Sequence, residues 1–190
     1  MDIISLDIPD VKILKPVRHK DQRGFFSEIF SQTTLQAAGL QLDIAQENFA
    51  FSIQKNTIRG LHYQAPPYTQ DKLIQVVSGA IFDVALDLRN GSPWFGQFVS
   101  AEISADNWDQ ILVPAGFAHG LCTLEPNTAV IYKVTAPYSP DHEGGIYWND
   151  PDLQIPWPVS PQDALLSDRD QSMPRLSELD SPFEYDKVTP

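Results

Sequence analysis

Residues 57–72 read TIRGLHYQAPPYTQDK, and they bring an arginine, a histidine, two glutamines and a lysine into one strand-like run interrupted by a Pro-Pro pair. Side chains of a strand alternate between its two faces. The pattern therefore predicts that His62 shares one face with Gly60 and Gln64, while Arg59 points the other way. We interpret the stretch as the floor of a functional site. The alternative is a purely structural histidine, since that side chain is versatile.

The composition around this stretch indicates one globular unit. The chain has 190 residues, of which 42% are hydrophobic, so a single domain over residues 1–190 is the expected organisation. The formal net charge is −12, which makes a nucleic-acid backbone or an anionic membrane an unsuitable partner. An anionic ligand would need a local basic pocket.

Cysteine usage and hydropathy predict a soluble, unprocessed, cytoplasmic protein. Cys122 is the only cysteine in the sequence, which excludes an intrachain disulfide and a cysteine-based zinc site. The first ten residues, MDIISLDIPD, lack a basic segment followed by a long apolar run. No apolar stretch approaches the ~20 residues that span a bilayer.

Short alternating runs bounded by turn residues predict an all-β sandwich or barrel. Residues 11–17 are expected to form a strand at a sheet margin, because Pro16 cannot donate to a strand ladder and suits an edge or a strand end, and residues 25–30 form another strand. Ser78-Gly79 between KLIQVV and AIFDVALDL is typical of a hairpin. Further strands are expected in DIAQENFAFSI, FGQFVSAEIS, QILVP and TAVIYKVTAP, with a turn at AGFAHG.

Two helices are predicted outside the strands. Residues 31–39 have Ser31 as an N-cap and Gly39 as a stop signal. Ser160 and Pro161 have the types preferred at the N-cap and first position of a second helix.

The segment after Pro137 is rich in proline, aspartate and tryptophan. Its aromatic side chains would expose a large apolar area, so we expect this tail to fold back over the barrel. It could then bring Arg169 and Asp170 to the site. Residues after Glu178 are expected to be solvated.

The run PAGFAH at residues 114–119 matches the PxGxxH turn of the cupin jelly rolls. A cupin metal site would need a second histidine two residues beyond His62, where this chain has Gln64. Divalent metals require imidazole or carboxylate clusters, so we expect no metal. His62 and His119 are then available for proton transfer or ligand contacts.

Several runs spread along the chain share their polar positions with one enzyme family. They are DQRGFFSEIF, QENFAFS, IRGLHYQAPPYTQDKLIQVVSGAIFDVALDLR, SPWFG, ILVPAGFAHGL, IYKVTAPYSPDHEGGIYWNDP, IPWP and LLSDRD. From about residue 11 to about residue 174, the chain resembles the dTDP-4-dehydrorhamnose 3,5-epimerase family. The resemblance implies a metal-free, cofactor-free, homodimeric jelly roll that acts on a dTDP-4-keto-6-deoxyhexose.

The resemblance also implies catalytic roles. A C4 ketone acidifies the hydrogens on C3 and C5, so one group must remove a proton and another must return it to the opposite face. His62 resembles the base, Asp170 the carboxylate that orients it, and Tyr132 the acid. Lys72 would face the C4 oxygen and favour the enolate. The structural alternatives are a core tyrosine at Tyr132 and a solvated strand end at Lys72.

The same resemblance implies a set of substrate-binding residues. Arg23 and Arg59 match phosphate-contacting positions, where guanidinium groups suit phosphate oxygens. Phe26 and Tyr138 are candidates for stacking on the base. Family members extend their first segment across the dimer, so Arg23 and Glu28 are expected to serve the neighbouring subunit. Other matches to ligand-contacting positions are Gln46, Asn48, His119, Glu143 and Arg169.

Departures from the family pattern leave the substrate preference open. Arg169 stands where the family commonly has lysine, and Phe49 and Phe51 stand where polar residues are more common. Related proteins epimerise only C3 or only C5, or act on other nucleotide sugars. Two other classes also fit the sequence pattern, namely a metal-dependent cupin oxygenase and a non-catalytic sugar-binding module.

Overall fold

The computed structural model describes residues 1–185, which are mainly β-strands and connecting loops. Within this part the strands are β1 (Asp2–Ser5), β2 (Lys12–Lys15), β3 (His19–Asp21), β4 (Gly24–Phe26), β5 (Gln46–Ser52), β6 (Ile58–Gln64), β7 (Lys72–Ser78), β8 (Ala80–Asp87), β9 (Phe98–Ser104), β10 (Gln110–Val113), β11 (Phe117–Thr123), β12 (Thr128–Val134) and β13 (Glu143–Gly145). The α-helices are α1 (Gln32–Ala37) and α2 (Asp168–Gln171), with 3₁₀ turns at Pro140–His142 and Leu176–Glu178. None of these helices is long and apolar enough to cross a membrane.

Two antiparallel sheets form the body of the protein. One has the strand order β1-β2-β10-β7-β12-β5, and the other has the order β13-β6-β11-β8-β9. Strands β3 and β4 pair with each other as a separate hairpin. The all-β jelly-roll prediction is confirmed by this architecture.

Apolar side chains between the two sheets form the main core. Ile74, Ile111 and Val130 come from the first sheet, and Ile81 and Ile103 come from the second. All five are at most 3% exposed. Burial of this apolar area is the main favourable contribution to folding.

The C-terminal tail covers the outer face of the five-stranded sheet, as the sequence predicts. Leu153 and Phe183 join Leu86 of β8 in a second buried cluster. The prediction of a solvated segment after Glu178 is wrong for Phe183, which is 5% exposed. Both this prediction and the predicted single domain extend to residues 186–190, which lie outside the described part of the chain.

Two strand predictions near the N-terminus are wrong. The strand in residues 11–17 is β2, which lies inside its sheet between β1 and β10 and not at the predicted margin. The sheet edge is formed by β1, a strand that the sequence pattern does not indicate. Pro16 directly follows the end of β2, which is the strand-end position that its missing amide hydrogen favours. In the run 25–30 only the two phenylalanines belong to a strand, because the chain then turns into α1.

Two turn predictions are also wrong. Strand β7 pairs with β10 and β12, whereas β8 pairs with β9 and β11, so Ser78-Gly79 carries the chain between sheets and forms no hairpin. Gly79 makes this step with a φ of 75°, a value that favours glycine. The predicted turn AGFAHG ends at Gly116, and His119 lies within strand β11.

The first helix prediction is confirmed and the second is wrong. The Ser31 hydroxyl accepts the Thr34 amide of α1 at 3.3 Å. Residues 160–163 form a turn, because the chain next enters a backbone pairing in which the Leu165 amide donates to Asn56 O at 2.9 Å. The second helix, α2, begins later, after Ser167.

Candidate active site

A cavity of about 710 Å³ lies between the two sheets. Strands β5, β7 and β12 line it from one sheet, β6 and β11 line it from the other, and the tail adds residues around α2. Most of the predicted site residues line this cavity. They are Gln46, Asn48, Arg59, His62, Lys72, His119, Tyr132, Tyr138, Glu143, Arg169 and Asp170.

A bulge in β6 brings Arg59 and His62 into the same cavity, which corrects the prediction that they lie on opposite faces. In the ladder between β6 and β11, His62 lies opposite His119 and Arg59 lies opposite Leu121. The β6 segment between these two pairs is therefore one residue longer than the β11 segment, which is the definition of a bulge. Gly60 within the bulge has a φ of 122°. Glycine in the strand sequence is a recognised bulge signal that strict alternation ignores.

His62 and Asp170 form a close pair in the cavity. The Nε2 atom of His62 lies 2.5 Å from Oδ1 of Asp170, whose side chain is 5% exposed. The Ser167 hydroxyl caps α2 by accepting the Asp170 amide at 3.2 Å, which fixes the carboxylate at the start of the helix. A Nε2–H that donates to Asp170 leaves the lone pair of the neutral ring on Nδ1.

Burial and hydrogen bonding act in opposite directions on Asp170. Burial would raise the pKa of its carboxyl group, but the hydrogen bond and charge of His62 outweigh that effect and hold the pKa below its usual value. Asp170 is therefore an anion at neutral pH. It can orient the His62 ring and stabilise it when it becomes positively charged.

Lys72 and Tyr132 line the cavity from the opposite sheet. The Lys72 ammonium donates to the backbone oxygen of His62 at 3.2 Å. Burial lowers the pKa of Lys72 to about 8, although the charges of Glu143 and Asp83 oppose the shift. Burial also raises the pKa of the Tyr132 phenol, which keeps it protonated and able to donate.

A second histidine–carboxylate pair involves a residue that the sequence analysis missed. The Nε2 atom of His119 lies 2.8 Å from Oδ2 of Asp83, whose side chain is fully buried. Asp83 stands between apolar residues in the middle of strand β8. A charged residue inside such a strand requires a partner when buried, and this signal could have identified it.

Three polar side chains are linked at the rim of the cavity. Oε2 of Glu143 accepts the Tyr138 hydroxyl at 2.6 Å and lies 2.5 Å from Nη1 of Arg169. Burial would raise the pKa of Glu143, but the bonds from Arg169 and Tyr138 lower it overall. The hydrogen bond to Glu143 in turn raises the pKa of Tyr138.

The remaining cavity residues from β5 and β6 are anchored by their neighbours. The Gln46 amide donates to Asn48 Oδ1 at 2.7 Å. Arg59 donates from Nε to Ser52 Oγ at 3.3 Å and from Nη2 to Phe51 O at 3.2 Å. These bonds hold the Arg59 guanidinium beside β5.

Arg23, Phe26 and Glu28 do not line the cavity of this chain. Arg23 is 84% exposed and pairs with Asp21 at 2.5 Å, and Phe26 is 72% exposed. Glu28 accepts the Thr34 hydroxyl at 3.3 Å. The separation of the β3–β4 hairpin from both large sheets explains this placement, which sequence alone does not specify.

The residues around His62 do not fit a cupin metal site. Gln64 is 4% exposed, and both ends of its amide bond to backbone groups. His62 is already paired with Asp170. Among residues 1–185, no group of three histidine, cysteine, aspartate or glutamate side chains is arranged to hold a metal ion.

Comparisons with known proteins agree on one family. The family model described as dTDP-4-dehydrorhamnose 3,5-epimerase matches residues 5–178. The dTDP-4-dehydrorhamnose 3,5-epimerase of Sinorhizobium fredii is 46% identical over 97% of this chain and 94% of its own length.

Solved structures of two bacterial proteins support the same relationship. The Bacillus anthracis dTDP-4-dehydrorhamnose 3,5-epimerase, with TDP and PPi bound, has a TM-score of 0.89 and 48% identity, covering 92% of this chain and 98% of that one. The Legionella pneumophila dTDP-6-deoxy-D-glucose-3,5-epimerase, in complex with dTDP-4-keto-L-rhamnose, has a TM-score of 0.92 and 39% identity, covering 97% and 98%. By sequence and by fold, this chain belongs to the dTDP-4-dehydrorhamnose 3,5-epimerase family.

Proposed function

We propose that the protein inverts C3 and C5 of dTDP-4-keto-6-deoxy-D-glucose to give dTDP-4-keto-L-rhamnose, without a metal or cofactor. The observation that carries the proposal is the His62–Asp170 pair, joined at 2.5 Å in a cavity that also contains Lys72 and Tyr132. Family membership and the bound ligands of the two solved relatives support this substrate class.

The proposed chemistry uses one base, one acid and one cation. His62 removes the proton from the carbon next to the C4 ketone, and the electron pair of the broken C–H bond moves into an enolate. Asp170 stabilises the resulting imidazolium, and Lys72 stabilises the enolate oxygen. Tyr132 then donates its proton to the opposite face of the same carbon. Exchange with water restores both groups before the second carbon reacts.

The cavity also suits the rest of the substrate. Arg59 and Arg169 place guanidinium groups at a cavity that a diphosphate could enter, although the whole chain is strongly acidic. Tyr138 is 54% exposed at the rim, where its ring can stack on a base. His119, Gln46, Asn48 and Glu143 provide polar groups for the sugar and nucleotide.

We also propose a homodimer in which the β3–β4 hairpin of one subunit reaches the site of the other. Arg23, Phe26 and Glu28 lie away from their own cavity, and edge strand β5 together with the residue that follows it exposes apolar side chains. These are Phe49, Phe51 and Ile53, which are 65%, 49% and 71% exposed. An apolar face along an unpaired sheet edge favours association. A cytoplasmic location fits the buried, free thiol of Cys122.

Mixing two defective variants tests this exchange. If Arg23 and Asp170 of one site come from different subunits, random mixing of Arg23→Ala and Asp170→Asn subunits should restore about a quarter of wild-type activity. Half of the dimers would be mixed and each would have one intact site. Mixing without recovery, or sedimentation equilibrium that gives a monomer, would contradict the proposal.

Incubation of dTDP-4-keto-6-deoxy-D-glucose with the protein in deuterated water tests the reaction. NMR should detect deuterium at both C3 and C5 and the L-rhamno product. Exchange at only one carbon would establish a mono-epimerase instead. Binding without exchange would indicate a sugar-binding module. A stoichiometric metal in elemental analysis, with activity lost to chelators, would indicate a cupin oxygenase.

Asp170→Asn should lower kcat by about 10²–10⁴, because the neutral amide cannot stabilise the imidazolium of His62. The double variant His62→Ala/Asp170→Asn should be no slower than His62→Ala alone, since the two side chains act as one unit. Steady-state kinetics measure both effects. Asp168→Asn on the exposed side of α2 is the control and should stay within about twofold of wild type. Multiplicative losses in the double variant would disprove the pair.

Tyr132→Phe should separate proton removal from inversion. The base, its carboxylate and Lys72 remain, so the enolate should still form, but no acid faces the opposite side of the sugar. NMR in deuterated water should therefore show exchange with the original configuration retained. Inversion at the wild-type rate would exclude Tyr132 as the acid, and so would loss of exchange together with unchanged dTDP binding.

The pKa of Lys72, lowered by burial to about 8, predicts a loss of kcat/KM as the pH rises through that value. The value of kcat/KM falls with rising pH because the ammonium is the active form and its deprotonation removes the cation beside the enolate. In Lys72→Arg the guanidinium stays protonated, so the alkaline decrease should move to higher pH even though overall activity falls. A decrease that stays near pH 8 in this variant would assign it to another group.

A further inference from the structure

Four of the five residues between β12 and the following 3₁₀ turn, Ala136 to Ser139, form a segment that we call the rim loop. It lies outside the regular strands and contains a proline, so its backbone groups need partners from elsewhere. Its residue Tyr138 lines the cavity. The conformation of this loop therefore determines where that aromatic ring stands.

Three glutamine side chains supply the partners of the rim loop, and we call them the glutamine clamp. Gln64 donates to Pro137 O at 3.0 Å and accepts the Ser139 amide at 2.8 Å. Gln46 accepts the Tyr138 amide at 3.0 Å, and Gln70 donates to Ala136 O at 2.8 Å. Every residue of the loop is bonded through its backbone to one of these glutamines.

Gln64 is the central member of the clamp. Besides its two bonds to the rim loop, it donates to Tyr68 O at 2.5 Å, so it joins that loop to the segment after β6. At 4% exposure, its amide has little contact with water. Replacing it with an apolar side chain would leave the backbone groups of Pro137 and Ser139 without this partner, at a substantial cost.

The clamp holds Tyr138 by its backbone and leaves most of its ring uncovered. Tyr138 is 54% exposed, and its hydroxyl is directed by the 2.6 Å bond to Glu143. An exposed ring held in one position loses little freedom when a planar ligand stacks on it. This arrangement suits a preformed stacking surface.

We propose that Gln64 is a positioning residue for nucleotide binding and acts through Tyr138. The inference rests on the proposed function, in which Tyr138 stacks on the base of a nucleoside diphosphate. Gln64 occupies the position where a metal-binding cupin would have histidine, and in this proposal the residue at that position supports ligand binding. Gln64 contributes to affinity for the base, whereas the His62–Asp170 pair carries the proton transfer.

Calorimetric titration of Gln64→Met with dTDP and with inorganic pyrophosphate tests this role. Methionine has a similar length but forms no comparable hydrogen bonds. We expect the Kd for dTDP to rise about tenfold and the Kd for pyrophosphate to change less than twofold. The reason is that the substitution releases the Tyr138 ring that stacks on the base, while the groups that contact the diphosphate stay in place. kcat at saturating substrate should fall much less than kcat/KM.

Two comparisons separate positioning from general damage. In a Tyr138→Ala background, Gln64→Met should weaken dTDP binding less than twofold further, because the ring through which it acts is gone. Gln75→Met is the matched control, since Gln75 is a buried glutamine of β7 that does not line the cavity, and its dTDP affinity should stay within twofold of wild type. If Gln64→Met does not fold, Gln70→Met tests the clamp with the same dependence on Tyr138.

Equal weakening of dTDP and pyrophosphate by Gln64→Met would overturn the inference. A full effect of the substitution in the Tyr138→Ala background would do the same. If the wild-type protein and Gln64→Met bind dTDP with equal affinity, this inference alone is overturned. Wild-type protein that does not bind dTDP would overturn the proposed function as well.

Discussion

The close approach of β6 and β11 at Gly60 is the constraint on which the site depends. A Cβ atom at Gly60 would lie 2.5 Å from the Cα of Gly120 and 2.6 Å from the backbone oxygen of His119, so only glycine fits. The bulge at this point adds one residue to β6 and reverses its alternation. A guanidinium and an imidazole that regular pleating would separate therefore line the same cavity.

The charges in the cavity are organised differently from those of the whole chain. The net charge is −12, yet Arg59, Lys72 and Arg169 all line the cavity. Arg169 is paired with Glu143, whereas Lys72 has no carboxylate within ion-pair distance in residues 1–185. Burial lowers the pKa of its ammonium to about 8, although the charges of Glu143 and Asp83 oppose the shift. Such a cation favours an anion that develops beside it during a reaction.

The tail completes a site that the sandwich alone would leave unfinished. Asp170 lies 108 residues after His62 in sequence and reaches it only because the tail packs on the five-stranded sheet. Trp148 is 3% exposed there and packs against Trp157, with ring centroids 6.1 Å apart. Apolar packing of the tail thus sets the geometry of a buried polar pair. The stability of this segment and the orientation of His62 are consequently linked.

Sequence by itself determined the all-β class, the helix capped by Ser31, the return of the tail and most of the residues that line the cavity, because these follow from local periodicity, capping chemistry and family motifs. Only the tertiary structure decided that Ser78-Gly79 joins two different sheets, since strand partners depend on long-range packing. It also decided that Asp83 pairs with His119 and that Gln64 bonds to the rim loop. These contacts join residues far apart in sequence, and which buried polar groups meet depends on the packing of the two sheets and the tail.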